Sequence, residues 1–189
     1  GPEIILSRSN SDFLKKLFEI EVPEVDDGII EIKNVSRAPG NRSKVVVYSS
    51  DRRVDAVGSC VGMRGSRIQS IVRELNGEKI DIINWSDQPE ILISRALSPA
   101  KPINLYLDVE KPYAVAVFED GDLAQAIGIN GSNIKLTTSV TGYQIDAVSQ
   151  TDYELKQNIN LKDISAITKK HLNLLKVNNI STTVEFLTK

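Results

Sequence analysis

Cysteine and histidine are almost missing from this chain, which has Cys60 and His171 and no other residue of either kind. A lone thiol excludes an internal disulfide framework and suits a reducing compartment. A structural zinc site takes about four ligands, and two candidates this far apart in sequence do not anchor one. A Cys–His nucleophile pair likewise has no supporting motif. No apolar run approaches the roughly 20 residues that span a bilayer, and no secretory leader is read at the start. The expectation is a cytoplasmic, non-membrane protein that needs no metal or cofactor and catalyses no reaction.

With 41% hydrophobic and 25% charged residues, the 189-residue chain has an ordinary globular composition and room for two to three small domains. Gly1-Pro2 reads as the remnant of a cleaved affinity tag and is left out of the fold argument; on that reading the chain is an excised part of a longer protein. The net charge of −2 hides a strong segregation. Residues 1–32 carry 3 basic and 8 acidic side chains, 33–101 carry 12 and 7, 102–150 carry 2 and 6, and 151–189 carry 6 and 4. Screening confines each charge to about 8–10 Å, so phosphate binding follows local charge. Segment 33–101 is the one to hold a polyanion.

The chain also repeats itself. Val57-Gly58-Ser59-Cys60-Val61-Gly62-Met63-Arg64-Gly65-Ser66-Arg67-Ile68 aligns with Leu123-Ala124-Gln125-Ala126-Ile127-Gly128-Ile129-Asn130-Gly131-Ser132-Asn133-Ile134, and Gly77 with Lys79-Ile80-Asp81 is echoed by Gly142 with Gln144-Ile145-Asp146. In the first copy, Phe13, Leu14, Leu17 and Phe18 predict a helix capped by Ser11 or Asp12 and ended by Pro23. Segments 28–35 and 43–48 predict a hairpin across Ala38-Pro39-Gly40-Asn41. A short helix over 54–61, the loop 62–65, a helix over 66–75 stopped by Asn76-Gly77 and a strand over 79–85 follow. The second copy predicts a helix over 90–97 closed by Pro99, strands over 103–109 and 114–118, a helix over 123–127, the loop 128–131, a helix to Val140 and a strand over 143–148. The element order α-β-β-α-(GxxG)-α-β thus occurs twice.

A Gly-x-x-Gly between two helices lets the backbone approach a ligand closely and presents the N-terminus of the second helix, whose free N–H groups attract phosphate. In KH modules such a loop clamps about four nucleotides of single-stranded RNA. One GxxG is weak evidence; two in matching settings are much stronger. The strings around them, Ser36-Arg37-Ala38-Pro39-Gly40-Asn41-Arg42-Ser43-Lys44-Val45, 54–69, 77–83 with Trp85-Ser86, and Ala96-Leu97-Ser98-Pro99-Ala100, closely resemble the KH region of the NusA family. The resemblance covers residues 3–150, with residues 4–8 similar to the tail of the family's preceding OB-fold domain.

This resemblance implies an α+β chain of two tandem type II KH domains plus a small helical C-terminal segment: a remnant over 1–10, the domains over 11–88 and 89–150, and an extension over 151–189. It implies a monomeric bacterial factor whose partners are nascent single-stranded RNA, RNA polymerase, other Nus factors and a ribosomal protein, and which acts on pausing, termination and antitermination. Helix 90–97 is expected to be the joint between modules.

At the first loop the expected RNA-binding residues are Gly62, Met63, Arg64, Gly65, Ser66 and Arg67, the last reaching a phosphate from one turn into the helix. The second set is Gly128, Ile129, Asn130, Gly131, Ser132, Asn133 and Lys135. Family members often carry a basic residue where Ile129 stands, so this loop is either a weaker RNA contact through backbone N–H groups or a module kept for packing. Arg37, Arg42, Lys44, Arg52 and Arg53 are either a phosphate rim or a solvated strand edge. Cys60, Trp85 and Tyr143 are expected to pack, and His171 to be exposed. Beyond Gln150, Leu161, Ile164, Ile167, Leu172, Leu175 and Val177 predict short helices, Asn178-Asn179 a turn and 182–187 a last helix; the segment is either one of the helical modules at the C-terminus of some family members, which short strings there resemble, or an unassigned helical appendage. Competing readings are a scaffold whose KH folds bind proteins, favoured by the acidic second module, and a KH-bearing fragment of an RNA-processing enzyme, which lacks an acid/base or metal constellation.

Overall fold

In the computed structural model, which describes residues 7–108, 110–157, 164, 167–178 and 180–182, the first helix is capped one residue earlier than its apolar spacing predicts. Asn10, rather than Ser11 or Asp12, accepts the Asp12 N–H at 3.0 Å, because its extended backbone leaves the side-chain oxygen facing the helix's free donors. Helix α1 (Ser11–Glu21) buries Leu14 and Phe18. Pro23 does not simply end it: it opens a one-turn helix α2 (Pro23–Asp26), where its missing N–H costs nothing at a first helical position. Strands β1 (Ile30–Ala38) and β2 (Arg42–Ser49) form the hairpin, turning at 39–41. Helix α3 (Ala56–Val61), the turn Met63–Gly65 and helix α4 (Ser66–Glu74) lead to strand β3 (Lys79–Asn84).

The second unit runs through helix α5 (Pro89–Ala96), strands β4 (Asn104–Leu107) and β5 (Tyr113–Phe118), helix α6 (Leu123–Ile127), the turn Ile129–Gly131, helix α7 (Ser132–Thr141) and strand β6 (Gln144–Ser149). Helix α8 (Gln150–Gln157) follows without a break and packs on β5 and β6, with Tyr153 stacked on Tyr106 at 5.2 Å. Helix α9 (Lys169–Val177) carries the exposed His171. The expected helix over 182–187, apart from Thr182, and Leu161 lie outside the described residues.

The two sheets share a plan: a hairpin whose second strand pairs in parallel with the strand after the loop, giving orders β1-β2-β3 and β4-β5-β6. They differ in what covers their outer faces. Strand β2 is buried from Ser43 to Val47 without alternation, the mark of a strand covered on both sides. Val45 and Val47 join the first unit's own core with Leu14, Phe18, Cys60 and Ile71. Val46 points the other way and meets Ile83, Ala96 and Val140. Helix α7 of the second unit therefore lies on the outer face of the first sheet, against β1 and β2. The joint is shared: α5 supplies Ala96 and Leu92, while α7 covers the sheet.

Two buried charge groups pin this arrangement. Arg37 and Glu78 form a bidentate pair, their side chains 4% and 0% exposed. Glu78 also accepts from Gly40 N and Ser43 Oγ, and Arg37 donates to the Arg8 and Asn10 carbonyls. This ties residues 8–10, the hairpin turn and the start of β3 together. At the seam, Lys44, fully buried, donates to Asp81 and to the Ser98 carbonyl of the second unit, both at 2.9 Å. Burial would raise the Glu78 and Asp81 carboxyls; the arginine pairing outweighs it, with help from Ser43 and Gly40 at Glu78 and from Lys44 at Asp81, and holds both below the ordinary carboxylate value. Burial lowers Lys44 by more than the Asp81 contacts restore.

Removing one partner of a buried pair strands the other, so Glu78→Ala should destabilise the chain by about 3–5 kcal/mol in denaturant titrations. Because both carboxyls have depressed folded values, their stabilisation is complete above their unfolded values of roughly 4 and is lost as pH falls through the folded values. Melting temperatures between neutral pH and strong acid should fall steeply below about pH 4, and Glu78→Gln should flatten that fall.

Candidate nucleic-acid interface

The two GxxG loops are near-copies in backbone conformation despite different side chains. Gly62 and Gly128 have φ/ψ of 74°/171° and 73°/170°; Arg64 and Asn130 both have 53°/28°; Gly65 and Gly131 have 77°/15° and 73°/18°. Each loop closes by the same bond, Gly65 N–H to the Gly62 carbonyl at 3.0 Å and Gly131 N–H to the Gly128 carbonyl at 3.1 Å. Both glycines of each loop sit at positive φ, and so does the second of the two residues between them. Asparagine tolerates that region through its short polar side chain, whereas an arginine there costs roughly 1–2 kcal/mol.

The loops project. Met63 is 85% and Ile129 81% exposed, and Arg64 is exposed with no ion pair among the described residues. Neither α4 nor α7 has a side chain capping its N-terminus. The Ser66 and Ser132 N–H groups turn back on the Met63 and Ile129 carbonyls, and the first turn of each helix that begins there carries the positive end of the helix dipole.

Behind each loop one side chain acts as a brace, at equivalent places in the repeat. Arg67 donates to the Ser59 carbonyl at 2.8 Å and to Glu24 at 2.9 Å, joining α4 to α3 and α2. Asn133, 2% exposed, donates to the Ala126 and Leu97 carbonyls at 3.0 Å, joining α7 to α6 and α5; its Oδ1 has no partner among the described residues. Arg67, expected to reach a phosphate, also has an internal role: its Nη1 is held by the carboxylate and carbonyl beside it, while the side chain stays 31% exposed. Asn133 offers its backbone rather than its side chain. Lys135 lies over the second loop, its Nζ on the Asn130 carbonyl at 3.0 Å.

The expected rim is also redrawn. Arg37 and Lys44 are removed from it: both side chains are buried in the pairs that organise the fold, where no phosphate reaches them. Arg42 is bidentate to Asp81 at 2.7 and 2.8 Å but stays 22% exposed. Arg52 and Arg53 are exposed, with Arg53 on Asp51. Cys60 lies in the first core, where burial pushes its thiol up to about 12. Trp85 packs at the seam and edge-on to Tyr48, and Tyr143 packs against the second core. One neighbour of the second loop had no signal in the sequence: Lys79, at the start of β3, faces it across a groove shared with Asn41 and Arg42. A single exposed lysine at a strand end is ordinary until the two units are packed.

The glycines of each loop are not equivalent. A methyl group at Gly62 would lie 2.8 Å from Arg67 Cγ, and one at Gly128 2.9 Å from the Asn133 backbone nitrogen. At Gly65 and Gly131 the nearest atoms are at 3.5 and 3.7 Å. Alanine at Gly62 or Gly128 should therefore destabilise more than alanine at Gly65 or Gly131, where the positive φ alone costs about 1 kcal/mol; urea titrations of the four variants measure the ranking.

Comparison with known proteins agrees with this double architecture. Residues 8–85 match the model of the NusA-like first KH domain, and residues 89–155 that of the NusA-like second KH domain. The transcription termination/antitermination protein NusA of Bacillus subtilis is 48% identical over 152 residues, 80% of this chain and 41% of that protein. The NusA of Halalkalibacterium halodurans is 45% identical over 152 residues, 80% and 40% of the two chains. That of Rickettsia conorii is 37% identical over 180 residues, 94% and 36%. The chain spans about two fifths of the length of these curated relatives. The crystal structure of APE1850 shares the fold, with a TM-score of 0.51 at 16% identity over 73% of this chain and 96% of that one. Two consecutive KH domains in the family's own order, with this identity to its members, make the chain a member of the NusA family, spanning its tandem KH region.

Proposed function

We propose that this chain binds extended single-stranded RNA and is the RNA-holding part of a bacterial factor that regulates transcriptional pausing, termination and antitermination with RNA polymerase. The observation that carries the reading is the exposed Gly62–Gly65 loop on the basic first unit. Its glycines allow close approach, Arg64 projects with no ion pair among the described residues, and the uncapped start of α4 offers backbone N–H groups to a phosphate. The relatives' name as termination and antitermination proteins supports the cellular role.

Binding divides into two tasks. Phosphates are held at the loops by N–H groups and by Arg64, a sequence-independent contact that weakens with salt. Bases lie along the apolar surface beside each loop, where Ile68 and Ile134 are partly buried and Met63 and Ile129 exposed. The working units are residues 11–88 and 89–150, acting as a monomer in the cytoplasm. RNA polymerase, other Nus factors and a ribosomal protein are the protein partners. No reaction is catalysed. Arg52 and Arg53 add long-range attraction at the edge of the first unit.

The test is fluorescence anisotropy of a labelled single-stranded RNA across a salt series. Wild type should bind saturably, and Arg64→Asp with Met63→Asp should weaken binding by at least about tenfold with an unchanged melting temperature. Arg67→Ala should lower stability as well as binding, since it removes the brace. RNA binding indifferent to the double substitution would overturn the loop as the site. The acidic second unit, residues 102–150 with 2 basic and 6 acidic side chains, would then favour a protein-binding scaffold.

A further inference from the structure

The second sheet repeats the first, but one row of its outer face has lost its cations. In the first sheet the register aligns Ser36, Lys44 and Asp81 across β1, β2 and β3. Asp81 there takes both Arg42 and Lys44, and Lys44 is fully buried against the second unit. The repeat puts Asp146 where Asp81 stands, and the corresponding row is Tyr106, Val115 and Asp146. Tyr113 and Val115 hold the positions of Arg42 and Lys44. Asp146 is exposed and makes no ion pair among the described residues; the Tyr113 hydroxyl donates to it at 3.3 Å. The face is aromatic as well as acidic. Ala114, Ala116, Phe118 and Ile145 point into the unit's own core, so Tyr106, Tyr113 and Val115 point outward. Tyr106 is 46% exposed, its ring stacked on Tyr153 of α8. Helix α8 closes the end of this face where Val117 and Val148 are buried. Asp108 and Glu110, beside Lys111, lie in the β4–β5 turn at the other end.

We propose that the outer face of the second sheet is a docking surface for an arginine-rich protein segment, one guanidinium of which pairs with Asp146 while its planar head stacks on the outward tyrosines. The first unit supplies the template. There the equivalent carboxylate takes an arginine and a lysine, and the equivalent row is already a packed seam. In the second unit the carboxylate keeps its place and the cations do not, so the missing parts are chemically defined. Arginine fits better than lysine, because a guanidinium both forks onto a carboxylate and stacks on an aromatic ring. Tyrosine and arginine are also the side chains that most often anchor protein interfaces. The acidic balance of residues 102–150, 2 basic against 6 acidic side chains, draws a basic partner and repels a polyanion. The inference is independent of the RNA reading, since the second loop joins the helices on the opposite side of the sheet, where Ala126 and Ile134 pack.

The experiment titrates the whole isotope-labelled chain with a synthetic helical peptide of about 16 residues that carries arginines along one face, followed by heteronuclear NMR. Amide shifts should concentrate on Tyr106, Tyr113, Val115 and Asp146. The same peptide with lysines should bind more weakly, and with glutamates not at all. Asp146→Asn, at an exposed side chain, should leave the melting temperature unchanged and weaken binding about three- to fivefold. Tyr113→Arg, which rebuilds the Arg42–Asp81 pair inside the chain, should weaken it at least as much, whereas Tyr113→Phe keeps the ring and should retain it. Asp122→Asn removes an acid at the start of α6, on the helical side, and should change nothing. Shifts absent from this face, a silent Asp146→Asn, or an equal loss with Asp122→Asn overturns the docking surface. So does a labelled single-stranded RNA that moves the same signals, which would make the face part of the RNA path instead.

Discussion

Helix α7 does two jobs at once, and the rest of the molecule is arranged around that. One face buries Leu136 and Val140; Val140 meets Val46 and Ile83 on the outer face of the first sheet. Its N-terminus is the second loop. Packing that anchors the helix therefore also aims the loop. The seam is apolar over Val46, Ile83, Ala96 and Val140, which supplies the driving force without much direction. Lys44 adds direction: a fully buried ammonium must keep both Asp81 and the Ser98 carbonyl, and a shift of one unit against the other would leave it unsatisfied at a cost of several kcal/mol.

The two loops separate conformation from chemistry. Their backbone angles agree to within a few degrees, although one reads Met-Arg and the other Ile-Asn between the glycines. The first glycine of each is required because the brace behind it, Arg67 or Asn133, occupies the space a side chain would need. Both braces bond a carbonyl of the preceding helix and then reach the helical segment that opens their unit. The loop shape is thus maintained by an internal hydrogen-bond frame. The exposed residues are left free to differ, and the proposed RNA contacts are divided unequally as a result: a charged tip on the first unit, and an uncharged tip with Lys135 beside it on the second.

How much of this was legible in the sequence depends on the range of the interaction responsible. The repeat, the order of elements and the glycine positions are local or periodic properties, and α6 over Leu123–Ile127 follows its predicted limits. The misjudged points are those where a distant partner decides. Arg37 and Lys44 have the composition of a phosphate rim, yet Glu78 and Asp81, some 40 positions away, take them into the interior.

By itself the sequence determined the two α-β-β-α-α-β units, the family, and the loop at each helix junction, since hydrophobic period, turn residues and glycine spacing act over a few residues. The tertiary structure alone decided which arginines and lysines remain available, and that Lys79 and Arg42 stand opposite the second loop. The physical reason is that a charged side chain carries no local mark of its partner: burial and pairing arise only when one unit's helix is laid on the other unit's sheet.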